Sequence, residues 1–433
     1  MKALLFRVAA SLAIIPHSLW AWGSAAHPSI TQGALEVLPA WEKEMLGQEL
    51  SRLGAEHCQI PDQVHSKPEI RKYATMDSRP GLVYLVNLHL PESETSDSEV
   101  LNDFLERSVK SFAAGEVADG ARFAGTVVHV LEDWGCPAHS VPGDNMFTLF
   151  KQFLPPPEAY KYVAMHGPVE NGKFETRLGS YQPKLLGTSV PEAAFHLLRR
   201  VRESTIHARG QVIPILQALY AGDEEASNAA QQKAAEVDGT VVADALHTIF
   251  CLARQQFEPE AVRALDCADL SICIPSEAAN LAMPQTAFFS KPYWGHALRG
   301  ITLRDGKEPV PLRLRIESQG EVAEKAFDQA WGVGTRSRIH FALPSGIYER
   351  FECWVGLQPE LGAKGCVVFE VTGNEDQPLA KVGPVKGDAP AQRVSVPLAG
   401  VTTLQLTASS AGGDGLGNYA VWAEPRLVKA KRP

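Results

Sequence analysis

Past its first few residues the chain never stays apolar long enough to cross a membrane, and the early run Val8–Ile15 is short and stopped by Pro16 and His17. Positive charge is scarce as well. The 41 Lys and Arg face 50 Asp and Glu, a formal −9 at pH 7, which leaves no basic footprint for nucleic acid. Internal repeats and low-complexity tracts are missing. So is any Ser-His-Asp or Cys-His pattern of a nucleophilic enzyme. What is there, 45% hydrophobic and 21% charged residues, belongs to a folded soluble protein. At 433 residues, two or three domains are expected.

Residues 1–21 read as a secretory signal. Lys2 and Arg7 supply the basic start, Val8–Ile15 the apolar stretch, and Ala21 the small residue before the cut, with Leu19 less ideal at the third position before it. Cleavage between Ala21 and Trp22 removes two positive charges and no negative ones, leaving 39 basic against 50 acidic residues, or −11. The expected location is secreted or periplasmic. All seven cysteines lie after the cut, where an oxidising compartment allows disulfides with one thiol left over. Cys353 with Cys366, and Cys58 with Cys136, are candidate pairs; the connectivity is not fixed by spacing.

Chemistry concentrates in His129-Val-Leu-Glu-Asp133-Trp-Gly-Cys-Pro-Ala-His139. Arg122–Leu131 reads as an apolar helix, so His129 and Asp133, four apart, share one of its faces. Gly135 and Pro137 end the helix and turn the chain back, bringing His139 toward the same spot. An imidazole and a carboxylate at that spacing, with a second imidazole beyond, suit a divalent metal such as zinc. A half-buried His beside a surface Asp remains the blander alternative for this stretch alone.

Other donors follow in series. A leader cut frees the Trp22 amine, a nitrogen donor once deprotonated, five residues ahead of His27. Asp62 follows Pro61, and His89 stands near the end of the apolar run Leu82–Leu90. His166 and Glu170 repeat the spacing of four, with Glu175 a second carboxylate nearby. Further helices are expected over Pro28–Leu38, Asn102–Phe112, Pro191–Arg209 and Ala226–Gln256. His196, His207 and His247 on the last two read as structural or surface residues. After about residue 280 the helical period gives way to short β-rich runs: Leu312–Ile316, Ser337–Leu343, Phe351–Leu357, Cys366–Val371, Gln392–Pro397 and Thr402–Ala408. Turn residues separate them at fairly regular spacing, the signature of a β-sandwich.

The series Trp22, His27, Asp62, His89, His129, Asp133, His139, His166 and Glu170 resembles the superfamily that joins bacterial zinc-dependent phospholipases C to fungal-type single-strand nucleases. The resemblance covers about residues 22–280. It rests on His-xxx-Asp, on the His six residues after that Asp, and on a Trp at the mature N-terminus. It implies an almost all-helical fold and three zinc ions. Asp62, His89, His129 and Asp133 would hold the first, and His139, His166 and Glu170 (or Glu175) the second. Trp22 and His27 would hold the third, bridged to the first by Asp133. It also implies phosphoester cleavage by a hydroxide shared between metals ~3.5–4 Å apart, with Asp62 assisting its deprotonation. The tight Trp22–His27 gap looks like the nucleases; the closing Glu and His27-Pro-Ser-Ile-Thr-Gln-Gly look like the phospholipases. The acidic balance weighs against long nucleic acid. Phospholipase C-like hydrolysis of a phospholipid or other phosphodiester is the expectation, with single-strand nuclease or nucleotidase activity as the alternative. A non-catalytic glycan-binding protein on a degenerate zinc scaffold is the third reading.

Trp331-Gly-Val-Gly-Thr-Arg-Ser-Arg-Ile-His-Phe-Ala-Leu-Pro, Phe351-Glu-Cys-Trp-Val-Gly-Leu, Gly365-Cys-Val-Val-Phe-Glu-Val and Tyr419-Ala-Val-Trp-Ala-Glu-Pro-Arg-Leu resemble the novel carbohydrate-binding modules attached to many secreted glycoside hydrolases. This covers about residues 285–430 and implies a glycan ligand, although Arg336 stands where the family more often has a His. Trp331 and Trp354 could stack on a sugar ring, but burial in the sandwich is the favoured role. The expected layout is multidomain: a signal over 1–21, a mainly α-helical zinc-hydrolase domain over 22–282, and a jelly-roll-like β-sandwich module over 285–430.

Overall fold

The computed structural model describes residues 22–23, 25–76, 88, 94–140, 154–158, 160, 172–272, 279–280, 298–304, 308–374, 377–412 and 417–430. Helices fill the first part. Short α1 (Ala26–Glu36), α2 (Ala40–Leu46), α3 (Glu49–Ala55) and α4 (Ile60–Gln63) precede long α5 (Glu94–Ala113), α6 (Val117–Trp134), α7 (Val190–Ala221) and α8 (Glu224–Arg254). A last turn, α9 (Pro259–Ala264), closes the helical part. Hinged at the left-handed Gly222 (φ 70°), α7 and α8 pack along each other. Every residue of α6 from Phe123 to Trp134 is buried. A helix covered all round carries polar side chains only where the interior uses them. Those of α6 (Thr126, His129, Glu132 and Asp133) recur at three or four residues and make one polar stripe. No described helix is long and apolar enough to cross a membrane.

Two boundaries move. α5 begins at Glu94 rather than near Asn102, and α7 continues past Arg209 and through Pro214 to Ala221. A proline removes a single backbone bond, and packing against α8 along its length carries the helix across that loss.

The second part is a β-sandwich. Its earlier strands are β1 (Cys267–Asp269), β2 (Ala279–Asn280), β3 (Leu298–Arg299), β4 (Ile301–Arg304), β5 (Glu308–Pro311), β6 (Arg313–Ser318) and β7 (Glu321–Ala326). β8 (Ala330–Val333), β9 (Ser337–Ala342), β10 (Arg350–Leu357), β11 (Cys366–Gly373), β12 (Gln377–Lys386), β13 (Gln392–Pro397), β14 (Thr403–Ser410) and β15 (Ala420–Val428) follow. One antiparallel sheet has the order β13–β10–β15–β8–β3, with β1 paired to β15 beyond β8; the other has the order β12–β11–β14–β9–β2. β4–β5 and β6–β7 are separate hairpins. Alternate residues of β9, β11 and β14 point inward, as the period of two predicts. Trp331 stacks on Phe341 at 5.5 Å and Phe369 meets Trp422 edge-on at 5.1 Å, so Trp331 is core and not a sugar platform. Trp354, half-buried, packs against the small apolar cluster that includes Leu312, Leu314 and Phe327.

Neither candidate disulfide forms: Cys58, Cys353 and Cys366 carry free thiols. Cys353 and Cys366 sit on β10 and β11, which belong to opposite sheets, and the Cys58 thiol is spent on the Gly54 carbonyl at 3.8 Å.

The two parts share a core. Phe195 of α7 belongs to the sandwich cluster, and Arg199 lies over the rings of Phe195 and Phe341 at 3.6 and 5.5 Å. His196 Nε2 pairs with the Tyr348 hydroxyl at 2.8 Å. Burial, helped by Arg199 and Lys429, pushes His196 down to about 3, so it stays neutral there. Its structural reading stands, and His207 is exposed.

Candidate metal centre

The polar stripe of α6 faces α1. His27 and His129 stack with ring centroids 4.3 Å apart and planes 20° from parallel. Asp133, one turn after His129, places one oxygen toward each ring: Oδ2 is 3.2 Å from His129 Nε2 and Oδ1 is 3.4 Å from His27 Nε2. Asp62 enters from α4, where Pro61 opens the helix as proline can in a first turn, and its Oδ1 lies 3.7 Å from His129 Nε2. Donor atoms of His27, Asp62 and His129 all fall within 4.8 Å of one another. Both histidines and Asp133 are fully buried, while Asp62 keeps 8% of its side-chain surface, so the cluster is most open on the Asp62 side.

Each imidazole is held from behind. His27 Nδ1 is 2.6 Å from Glu132 Oε2, and Glu132 Oε1 accepts the Thr31 hydroxyl at 2.7 Å. His129 Nδ1 donates to the Cys58 carbonyl at 2.8 Å. With Nδ1 engaged in this way, the Nε2 atoms of both rings face Asp133. That is the outer support metal-binding histidines ordinarily have.

The local charge fits a cation. Asp62, Asp133, Glu132 and Asp238 surround two imidazoles, and burial pushes Glu132 and Asp238 well up. Burial alone would lower His129, but Asp133 and then Asp62 outweigh it and hold the imidazole up at about 9. Two nitrogens and two carboxylates converging in a buried pocket are a donor set that zinc accepts. Gly135 serves this packing in an unforeseen way. Its φ is an ordinary −86°, so the helix end does not need glycine; a Cβ there would fall 2.3 Å from the Asp238 carboxyl carbon.

Of the nine sequence-derived ligands, His27, Asp62, His129 and Asp133 come together. Trp22 is fully buried with its ring edge-on to Phe174 at 5.7 Å. His139 is buried in the turn after α6, its N–H bonded to the Cys136 carbonyl at 3.1 Å, and is not in the group of three. His89, His166 and Glu170 lie outside the described residues, as does the leader over 1–21. Glu175 is exposed and held by Arg177 at 2.6 Å, which keeps its carboxyl low; that is not the setting of a buried ligand. Glu132 and the Cys58 carbonyl were not foreseen. Neither was the setting of His247, read above as structural or surface. It meets Glu42 at 2.5 Å and Cys251 at 3.7 Å. The available signal was His-xxx-Cys, the same spacing as His129 and Asp133.

A family model, the NPCBM/NEW2 domain, matches residues 303–428. No curated protein matches the chain. Among solved structures, the CBM51-2 and INT domains of Clostridium perfringens ZmpB with GlcNAc are 22% identical over 27% of this chain and 25% of their own, with a TM-score of 0.25. This chain therefore spans about a quarter of that protein. The CBM51 of Clostridium perfringens GH95 with methyl-galactose is 24% identical over 37% of this chain and 99% of its own, at a TM-score of 0.30. An alpha-toxin from the avian Clostridium perfringens strain SWCP is 9% identical over 94% of this chain and 98% of its own, at a TM-score of 0.33. The stretch that matches a described family is thus the sandwich, which is similar to the NPCBM/NEW2 domain.

Proposed function

We propose that the helical part is a zinc-dependent phosphodiester hydrolase of the phospholipase C kind, secreted with its leader removed before Trp22, and that the sandwich docks it on glycans. One observation carries the reading. His27, Asp62, His129 and Asp133 converge in a buried pocket, with both imidazoles oriented from behind by Glu132 and the Cys58 carbonyl. Zinc bound there supplies Lewis acidity toward a phosphoryl oxygen and acidifies water. The side chains do the rest. Asp133 keeps the two imidazoles in register, and Asp62, on the more open side, is placed to take a proton from incoming water. Three ions are proposed, with His139, His166 and Glu170 at a second position, and the Trp22 amine beside His27 at a third. The acidic balance favours a phospholipid over long nucleic acid, and the NPCBM/NEW2 match supports the glycan role.

The test offers zinc-loaded full-length protein phosphatidylcholine vesicles, single-stranded DNA and a simple aryl phosphodiester. Cleavage of the vesicles and the aryl ester, abolished by His129→Ala, is the expected result. Cleavage of DNA alone moves the assignment to a nuclease. No cleavage of any substrate by protein with its zinc bound leaves a glycan-binding scaffold in place of the enzyme.

A further inference from the structure

A second donor cluster shares no residue with the first. Glu42 of α2 is fully buried; its Oε1 lies 2.5 Å from His247 Nδ1, and its Oε2 is buried with no hydrogen-bond partner. Cys251, one turn along α8 from His247 and 5% exposed, places its free thiol 3.9 Å from that same Nδ1 and 3.7 Å from Nε2. The three ligand atoms all fall within 4.8 Å of one another. His247 and Cys251 also line a cleft of about 810 Å³ walled by Trp41, Leu185, Leu265 and Cys267.

We propose that Glu42, His247 and Cys251 form a second divalent-metal site of zinc type, with its fourth position open to this cleft. Tetrahedral zinc holds nitrogen and oxygen at ~2.0–2.1 Å and sulfur at ~2.3 Å, which sets its N–S separation near ~3.6 Å and N–O near ~3.3 Å. The sulfur is within a few tenths of an ångström of that arrangement. The carboxylate must back off the imidazole by under ~1 Å as the ion replaces the shared proton. Binding therefore releases that proton and the Cys251 thiol proton. Thiolate, imidazole and carboxylate together select zinc or cobalt over calcium or magnesium, which take oxygen alone. A carboxylate with one oxygen buried and unpartnered is costly unless an ion or a proton completes it.

Cobalt separates the two sites, because the first cluster has no sulfur ligand. Full-length protein, reduced and stripped with chelator, is titrated with Co²⁺. One equivalent should develop a near-ultraviolet thiolate-to-cobalt charge-transfer band, which Zn²⁺ then bleaches. Cys251→Ser should abolish the band and lower the bound metal by one equivalent, while phosphodiester cleavage at the other cluster persists. Cys267→Ala, which removes the exposed thiol of the same cleft, should keep the band. Glu42→Gln should weaken cobalt binding at least tenfold. Absence of the band in the unaltered protein, or its survival in Cys251→Ser, overturns the site whatever the fate of the hydrolase reading.

Discussion

Gly125 carries no chemistry, yet the geometry of the first cluster depends on it. It lies on α6 one turn before His129, and a Cβ there would stand 2.4 Å from the His57 carbonyl oxygen and 2.6 Å from the His57 Cβ. His57 opens the 3₁₀ turn His57–Gln59, whose Cys58 carbonyl fixes His129 and whose continuation is α4 with Asp62. In an exposed helix Gly→Ala gains up to ~1 kcal/mol. Here the obstacle is backbone, and reaching even 3.0 Å requires the turn to retreat by 0.6 Å. Overpacking of that kind costs ~1–3 kcal/mol, so Gly125→Ala should be destabilising by ~1–2 kcal/mol net. A domain of this size then loses about 2–8 °C in Tm. Because the retreat carries away the Cys58 carbonyl and Asp62, metal affinity should fall ~10–100-fold. Calorimetry of metal-free protein reads the first effect, and competition with a chelator of known affinity reads the second. Gly210→Ala on α7 is the control: nothing lies within 4 Å of its Cβ position, so it should stabilise slightly. If Gly125→Ala raises Tm as the control does and binds zinc unchanged, the seating of the His57 turn against α6 is wrong.

Glu132→Gln puts an amide beside His27 Nδ1, and a donated amide proton there would move the ring proton to Nε2, where it blocks metal binding. The expected outcome is native circular dichroism with ~10–100-fold weaker zinc retention on dialysis; full retention would remove Glu132 from the account. In the sandwich, hydrogen bonds from Arg350, then Arg426 and Arg393, hold Glu352 down at about 2 against an ordinary 4.5. A depressed carboxyl stabilises the fold above its unfolded value and loses that contribution as pH falls toward the folded one, here between about 4.5 and about 2. The arginines are 32–56% exposed, so screening reduces the worth to ~1 kcal/mol. Glu352→Gln should flatten the fall of Tm with acid in that window, and an unchanged acid limb would refute the linkage.

The long helices and inner strands are legible because burial imposes one period on each. α6 shows it in reverse: apolar on nearly every side, it announces burial, and its few polar residues announce use. His129 and Asp133 are readable together because they are one turn apart. Glu132 is not, since its partner His27 lies 105 residues away and only packing of α1 against α6 joins them. Glu42 and His247, 205 residues apart, are hidden for the same reason. Strand β12 escapes for a different one. It is an edge strand with mostly exposed side chains, and Pro378 and Pro384 break its alternation, as edges allow and interiors do not. Aromatic residues are readable in part: Trp331 reads more readily as core than as a sugar platform, and the closing of the second sheet over Phe341 decides for core.

The change of character near residue 280 marks a change of fold, and α7 takes part in the packing on both sides of it. One side of its first three turns meets the sandwich, through Phe195, His196 and Arg199, and through Glu192 with Lys429, while Ala193, Ala194, Leu197 and Leu198 pack into the helical core. Farther along, Ser204 bonds Asp238 at 3.2 Å, Thr205 the Trp134 carbonyl at 2.6 Å, and Arg209 the Ser140 carbonyl at 2.6 Å, so the same helix holds the end of α6 and the turn bearing His139. From Phe195 to Thr205 the helix rises ~15 Å. β1, which follows α9, reinforces the join by pairing Cys267–Asp269 with Arg426–Val428. A cut near residue 282 therefore leaves β1 and β2 on the helical fragment and uncovers Phe195. If the sandwich binds a surface, the donor cluster of α6 is carried with it through this shared helix, because a continuous helix transmits orientation where a loop would only limit distance.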